Sequence, residues 1–242
     1  MISNVGYRFT VFADYSNLCF SRESMNKIFD AFNGIDIVPA VVQEVSPDAG
    51  VSQRMRFVTN DGISIALMSS RIDIDIISGK KEGFLEEEKG KVSSILLQYM
   101  TRIYSAFGKM IQDANRMAWG STFVYFDISS EEKRNFRQRF IQPIRFYRDI
   151  SVDEFNVCYV GRKKIQITSC DQEEINILTQ IREYVSDNEP RVYGNISGYI
   201  ISFDINTVPE NKKNRFGAQT FDSFINIARE IQKDVGNDFL NV

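Results

Sequence analysis

Histidine is absent from this chain of 242 residues, and the absence closes off more chemistry than any motif opens. Without an imidazole there is no Ser-His-Asp or Cys-His nucleophile, no histidine-ligated metal and no histidine pH switch. Acid–base or covalent chemistry would have to rest on carboxylate, lysine, tyrosine or thiol groups. Cysteine is scarce as well: Cys19, Cys158 and Cys170 are odd in number and widely spaced. That argues against a disulfide framework or a zinc knuckle and predicts reduced, mostly buried thiols. Cys19 follows the polar, aromatic stretch Asp14-Tyr15-Ser16-Asn17-Leu18 but has no histidine to activate it, so an inert thiol is expected. Glycines form no phosphate loop and no dinucleotide fingerprint, and there is no Walker lysine, so no cofactor is expected. Apolar runs fall well short of the roughly 18 residues that span a bilayer, and the N-terminus lacks a basic segment followed by an apolar signal core. A folded cytoplasmic protein with no membrane partner is the expectation.

What is present is an ordinary globular composition, with 43% hydrophobic and 25% charged residues. A net charge of −3 provides no global attraction to nucleic acid, though local basic patches could still act. The most organised stretch is residues 54–78, which reads as a three-stranded antiparallel meander. Asn60-Asp61-Gly62 is a strong hairpin signal, placing Met55, Phe57 and Thr59 on one face before the turn and Ile63, Ile65 and Leu67 on one face after it. Ser69-Ser70 allows a second reversal. Ile72, Ile74 and Ile76 then alternate with Arg71, Asp73 and Asp75, a core face and a wet or paired face.

Around the meander, residues 5–13 have strand composition. A helix follows, N-capped at Ser21, with Met25, Ile28, Phe29 and Phe32 as its stripe and Asn33-Gly34 as its stop. Residues 35–45 read as extended, with Pro39 comfortable only at an edge or bulge, and 47–50 as a turn. After a polar connection, Val92, Ile95, Leu96, Tyr99, Ile103, Ala106, Phe107 and Met110 mark a long amphipathic helix over 84–112. The run Glu86-Glu87-Glu88 suits that helix's N-terminal dipole. Residues 117–128 read as strand, and Ser129-Ser130-Glu131-Glu132 as a capping-box start to a helix reaching about 141, where Pro143 breaks it. Strands are expected at 155–160, 163–169, 175–185 and 192–206, with turns at Gly161-Arg162 and at 187–190, then a polar loop over 209–217. The last helix carries Phe221, Phe224, Ile225, Ala228, Ile231 and Val235 on one face. Strand, helix, several strands and a closing helix thus occur twice. The expected fold is α+β in two related halves, 1–113 and 114–242, each a mainly antiparallel sheet covered by helices.

Arg56-Phe57 and Asp61-Gly62 ahead of Arg71-Ile72-Asp73-Ile74, and Phe203-Asp204-Ile205-Asn206 ahead of a helix carrying Phe221, Phe224 and Ala228, resemble the pattern of a sporadically distributed family of bacterial proteins. The resemblance spans most of the chain but is of low specificity. That family has no established activity; its patchy distribution implies an accessory role in a bacterial defence or mobile-element system.

Three functions follow from the residues. The first is a non-catalytic binding or assembly subunit engaging a protein partner or a second copy, through an exposed strand edge or the helix 84–112. The alternative is a nucleic-acid-binding subunit, in which Lys133, Arg134, Arg137, Arg139, Arg145 and Arg148 alternate with Phe136, Phe140, Phe146 and Tyr147. Arg162-Lys163-Lys164 and Lys212-Lys213-Arg215 would extend that patch. Against this, Phe136 and Phe140 are four apart on a helix, a spacing more often found in core residues beneath a solvated basic face. The third is a metal-dependent nuclease in which Asp73 and Asp75, joined by Glu44 or Asp204, hold magnesium. Arg71, Arg54 and Arg56 could instead pair with these carboxylates, with no metal involved. No lysine stands beside the pair as in a PD-(D/E)xK nuclease.

Overall fold

The computed structural model describes residues 2–46, 50–77, 91–126, 128–140, 155–167, 172–184 and 198–240. Over these the fold is α+β, with four helices and one nine-stranded sheet whose neighbouring strands all run antiparallel. Strand β1 (Ile2–Phe12) leads to helix α1 (Arg22–Ala31), then to β2 (Ile37–Ser46), β3 (Gly50–Thr59), β4 (Ile63–Leu67) and β5 (Arg71–Ile77). Helix α2 (Lys91–Phe107) follows, ending in a short 3-10 turn (Gly108–Met110). The chain continues through β6 (Arg116–Phe126), α3 (Ser130–Phe140), β7 (Asn156–Gln166), β8 (Gln172–Tyr184), β9 (Gly198–Thr207) and α4 (Ala218–Leu240). Spatially the strands lie in the order β2-β3-β4-β5-β1-β6-β9-β8-β7. Among the described residues no helix is long and apolar enough to cross a membrane.

Local signals account for the elements. The Ser21 hydroxyl accepts the Ser24 N–H at 3.1 Å and caps α1. Ser129 and Glu132 form a reciprocal box at α3: Ser129 N–H donates to the Glu132 carboxylate at 2.7 Å, and Glu132 N–H to the Ser129 hydroxyl at 3.2 Å. The β3–β4 reversal uses Gly62 at φ +83°, with its N–H on the Thr59 carbonyl at 3.0 Å. Met68 N–H bonds the Arg71 carbonyl at 2.9 Å to make the next turn. The alternation holds throughout the meander: Met55, Phe57, Thr59, Ile63, Ile65, Leu67, Ile72, Ile74 and Ile76 are all buried.

All four helices cover the same face of the sheet. Ile28 of α1 and its C-cap Phe32, Leu96, Tyr99, Met100, Ile103 and Phe107 of α2, and Phe221, Phe224, Ile225 and Ala228 of α4 close over Phe9, Val11, Phe57, Ile74 and Trp119. Phe9 meets Phe221 edge-on at 5.6 Å, and Phe32 meets Tyr99 at 5.2 Å. A smaller cluster joins Phe136 of α3 to Phe155, Ile181, Tyr199, Ile201 and Phe203.

Four expectations need correction or restriction. Gly161-Arg162 is not a turn: β7 runs unbroken through it, with Gly161 opposite Ile177 and Arg162 opposite Asn176. An interior glycine weakens a strand without ending it, so among the described residues three strands rather than four follow α3. Cys19 and Cys158 are exposed rather than buried. Helix α2 packs against both α1 and α4, which puts its apolar stripe in the core and leaves small polar residues such as Thr101 and Ser105 outside. Of the helix expected over 84–112, the polar face between Lys91 and Phe107 is the part left open to a partner. Residues 47–49, 84–90 with the glutamate run, 141–154 with Pro143, Arg145, Phe146, Tyr147 and Arg148, Cys170 and the turn at 187–190 all lie outside the described residues.

Candidate functional site: the edge strand β2 and the charged clusters

The sheet has two edges, and they differ. At one end β2 pairs, among the described residues, only with β3, from Ile37↔Thr59 to Ser46↔Gly50. Pro39 fits here because an edge strand can dispense with one N–H on its outer side. Val38 is 62% exposed, Val45 74% and Val51 of β3 64%; Val41 and Val58 are also exposed. Val41 and Val45 stand opposite Met55 and Val51, on the helix-covered side, whereas Val38 stands opposite Val58 on the other side. Apolar side chains thus flank this edge on both faces. At the far edge, β7 exposes Tyr159 and Val160 but also Arg162, Lys163 and Lys164, charges that discourage strand addition.

The single charged side chain on β2 is turned to an internal task. Glu44 accepts Arg54 Nε at 2.9 Å and the Ser69 N–H at 3.0 Å. Arg54, with its side chain 6% exposed, also donates to the carbonyls of Ser16 at 3.1 Å and Leu18 at 3.4 Å. The cluster fixes the loop after β1 to β2, β3 and the β4–β5 turn. Burial pushes the Glu44 carboxyl up, but the Ser69 hydrogen bonds and Arg54 outweigh it and hold it below the ordinary carboxylate range.

Asp73 and Asp75 lie on the face of the sheet away from the helices, and both are engaged. Asp73 is buried and accepts the Thr10 hydroxyl at 2.7 Å and Arg71 Nε at 2.8 Å. Asp75 pairs with Arg8, directly opposite it on β1. Arg56 bonds the Ser64 hydroxyl at 3.0 Å. Arginine pairing was legible in the sequence, but the partner of Asp75 was not, because Arg8 is 67 residues away. Asp204 sits across β6 from Arg8, over Gly120, and accepts the Asn206 amide at 3.0 Å. Glu44 is separate from this row, held by Arg54. Among the described residues no group of three or more Cys, Asp or Glu converges as a metal site.

No family model matches this chain, and neither does any curated protein.

The basic–aromatic helix is amphipathic in the ordinary sense. Phe136 is buried, stacked on Tyr199 at 4.5 Å and 5.0 Å from Phe140. Lys133 and Arg137 converge on Glu183, Lys133 at 3.9 Å, and Arg137 Nε also reaches the Tyr199 hydroxyl at 3.2 Å. Arg134 and Arg139 are exposed. The two arginines of the extensions are paired too: Arg215 makes a bidentate contact with Glu173 at 2.7 and 2.9 Å, and Arg162 bonds Glu210 at 2.8 Å. Lys212, Lys213, Lys163 and Lys164 are exposed.

Proposed function

We propose that this protein is a non-catalytic assembly subunit that extends its sheet through β2, and that the occupant of that edge is a second copy of the chain. The observation that carries the reading is the edge itself: ten residues with valines exposed on both faces and no outward charge. An unguarded apolar edge of this kind is a template for another strand. A two-fold dimer would set β2 against β2, antiparallel. Because Glu44 is neutralised by Arg54, two such edges meet without like-charge repulsion.

The element order supports reading residues 1–113 and 114–242 as two versions of one unit. In each run a first strand leads to a helix, the last strand of the run pairs back onto the first (β5 on β1, β9 on β6), and a helix closes it. The family resemblance, with the accessory role it implies, is compatible with a subunit of this kind.

Size-exclusion chromatography with light scattering tests the reading. A dimer is expected for the wild-type chain, and Val41→Lys and Val45→Lys, at exposed positions, should convert it to a folded monomer. A wild-type monomer at every concentration up to near-millimolar, or a dimer indifferent to both lysines, would overturn it.

A further inference from the structure

At the C-terminal end of β1, four chain segments meet around an open cavity of about 420 Å³. Its lining comes from the end of β1 (Phe12, Ala13, Asp14), the β4–β5 turn (Ser69, Ser70), the start of β6 (Asn115, Arg116) and the loop before α4 (Pro209, Lys212). Backbone bonds fasten these walls. Tyr15 N–H bonds the Ser69 carbonyl at 2.7 Å, Asn115 N–H the Phe12 carbonyl at 2.8 Å, and Ala114 N–H the Phe216 carbonyl at 2.8 Å. The cavity is therefore preformed and within the size range of small-ligand sites.

Its charges are unbalanced in a specific way. Arg116 lies with its guanidinium 4.4 Å from the centre of the Phe12 ring, a stacking that orients the planar fork. Arg116 Nε is buried and has no hydrogen-bond partner among the described residues. Arg215, in the adjoining loop, is the contrast: it spends its donors on Glu173 and on the carbonyls of Asn115, Asn211 and Lys213. Buried donors are normally satisfied, so Arg116 keeps hydrogen-bonding capacity that the described residues leave unused. Lys212 is exposed and makes no ion pair among the described residues, the nearby Glu210 being bonded to Arg162. The one carboxylate of the lining, Asp14, accepts the Ser16 N–H at 3.0 Å and is tied into its own turn.

We propose that this cavity binds a phosphate-class oxyanion, carried as a phosphate monoester on a small molecule, with Arg116 and Lys212 as its counter-charges. Guanidinium forks recognise such oxygens with two parallel N–H donors. The cavity is larger than an inorganic phosphate needs, leaving room beside Ser70 and Pro209 for the organic portion. This proposal is independent of β2, which lies at the sheet edge and contributes nothing to the cavity lining.

The test is titration of the isotopically labelled full chain with inorganic phosphate, adenosine monophosphate and adenosine, followed by the amide signals of Ser70 and Asn115. Saturable shifts with adenosine monophosphate, half-complete below about 1 mM, weaker shifts with phosphate and none with adenosine are expected. Lys212→Glu should weaken binding at least about tenfold and Arg116→Gln should abolish it, one charge-assisted contact being of that order. Asp14→Asn should tighten it. Lys212 and Asp14 are exposed, so those two variants report on charge without disturbing the fold. No saturable response to either phosphate probe would overturn the proposal. So would equal binding of adenosine, or affinities unmoved by Lys212→Glu and Asp14→Asn. Equal affinity for phosphate and adenosine monophosphate would overturn the monoester and leave a free-oxyanion site.

Discussion

Replacing Arg54 by Met keeps most of the side chain's packing volume and removes every donor it supplies. Glu44, whose side chain is 16% exposed, then retains only the Ser69 N–H, and the carbonyls of Ser16 and Leu18 lose a shared donor. Removing one partner of a fully buried pair costs about 3–5 kcal/mol. Glu44 keeps some contact with water, so a loss of about 2–3 kcal/mol is expected, a large share of the roughly 5–15 kcal/mol by which a domain is stable. With a urea slope near the upper end of about 1–3 kcal/mol per molar, the unfolding midpoint should fall by about 1 M. The decisive form of the experiment is a double-mutant cycle with Glu44→Leu. The double variant should lose at least about 1 kcal/mol less than the sum of the singles, because the second change removes the charge that the first left stranded. Additivity within about 0.5 kcal/mol would refute the reasoning and make Arg54 a packing residue only. Arg8→Met is the comparison: Asp75 is as buried as Glu44, at 15% exposed, but Arg8 is 56% exposed, so water replaces more of the lost donor and the loss should be smaller than for Arg54→Met.

The pH dependence should carry two opposite contributions. Glu44 is held low in the fold, so its contribution is present above the unfolded value of about 4.3 and is lost as pH falls through the lower folded value. Asp75 is pushed up by burial, which outweighs its bond to Arg8, so it favours the fold at low pH and this contribution fades as pH rises from about 3.9 through its folded value. Urea midpoints from about pH 3 to about pH 7 should therefore fall less steeply in acid for Glu44→Gln and more steeply for Asp75→Asn; identical profiles would contradict both assignments. Gln232→Ala strands the Trp119 indole N–H and the Ser121 hydroxyl, which donate to its carbonyl at 2.8 and 2.7 Å. A loss of about 2–3 kcal/mol is expected, with Trp119, the sole tryptophan, reporting directly by fluorescence, and Gln232→Glu should restore most of it.

The site residues were legible to unequal degrees. Asp73, Asp75, Arg54 and Arg71 could be singled out from alternation alone, and pairing rather than metal binding could be preferred because arginines shared their strands. The pairs themselves could not be read: Arg8 meets Asp75 because β1 enters beside β5, and Arg54 meets Glu44 because β2 lies beside β3. Phe136 and Phe140 were correctly open to a core reading, since a four-residue spacing says that two side chains share a helix face without saying what that face meets. Gly161 was misread because glycine permits a turn without requiring one. Arg116 gave no signal at all, being one arginine at the start of a strand until Phe12, Ser70 and Lys212 are brought around it.

The sequence by itself determined the elements: period-two alternation in β3 to β5, the Ser21 and Ser129 caps, the Gly62 turn and the amphipathic stripes of α2 and α4. Each of these rests on contacts within a few residues, so local chemistry suffices. Tertiary structure decided which strands are neighbours, and with that everything functional. Backbone N–H and C=O groups are alike along every strand, so nothing local specifies that β1 and β6 pair to join the two runs into one sheet. That pairing leaves β2 at an edge and gathers Phe12, Ser69, Arg116 and Lys212 around one cavity.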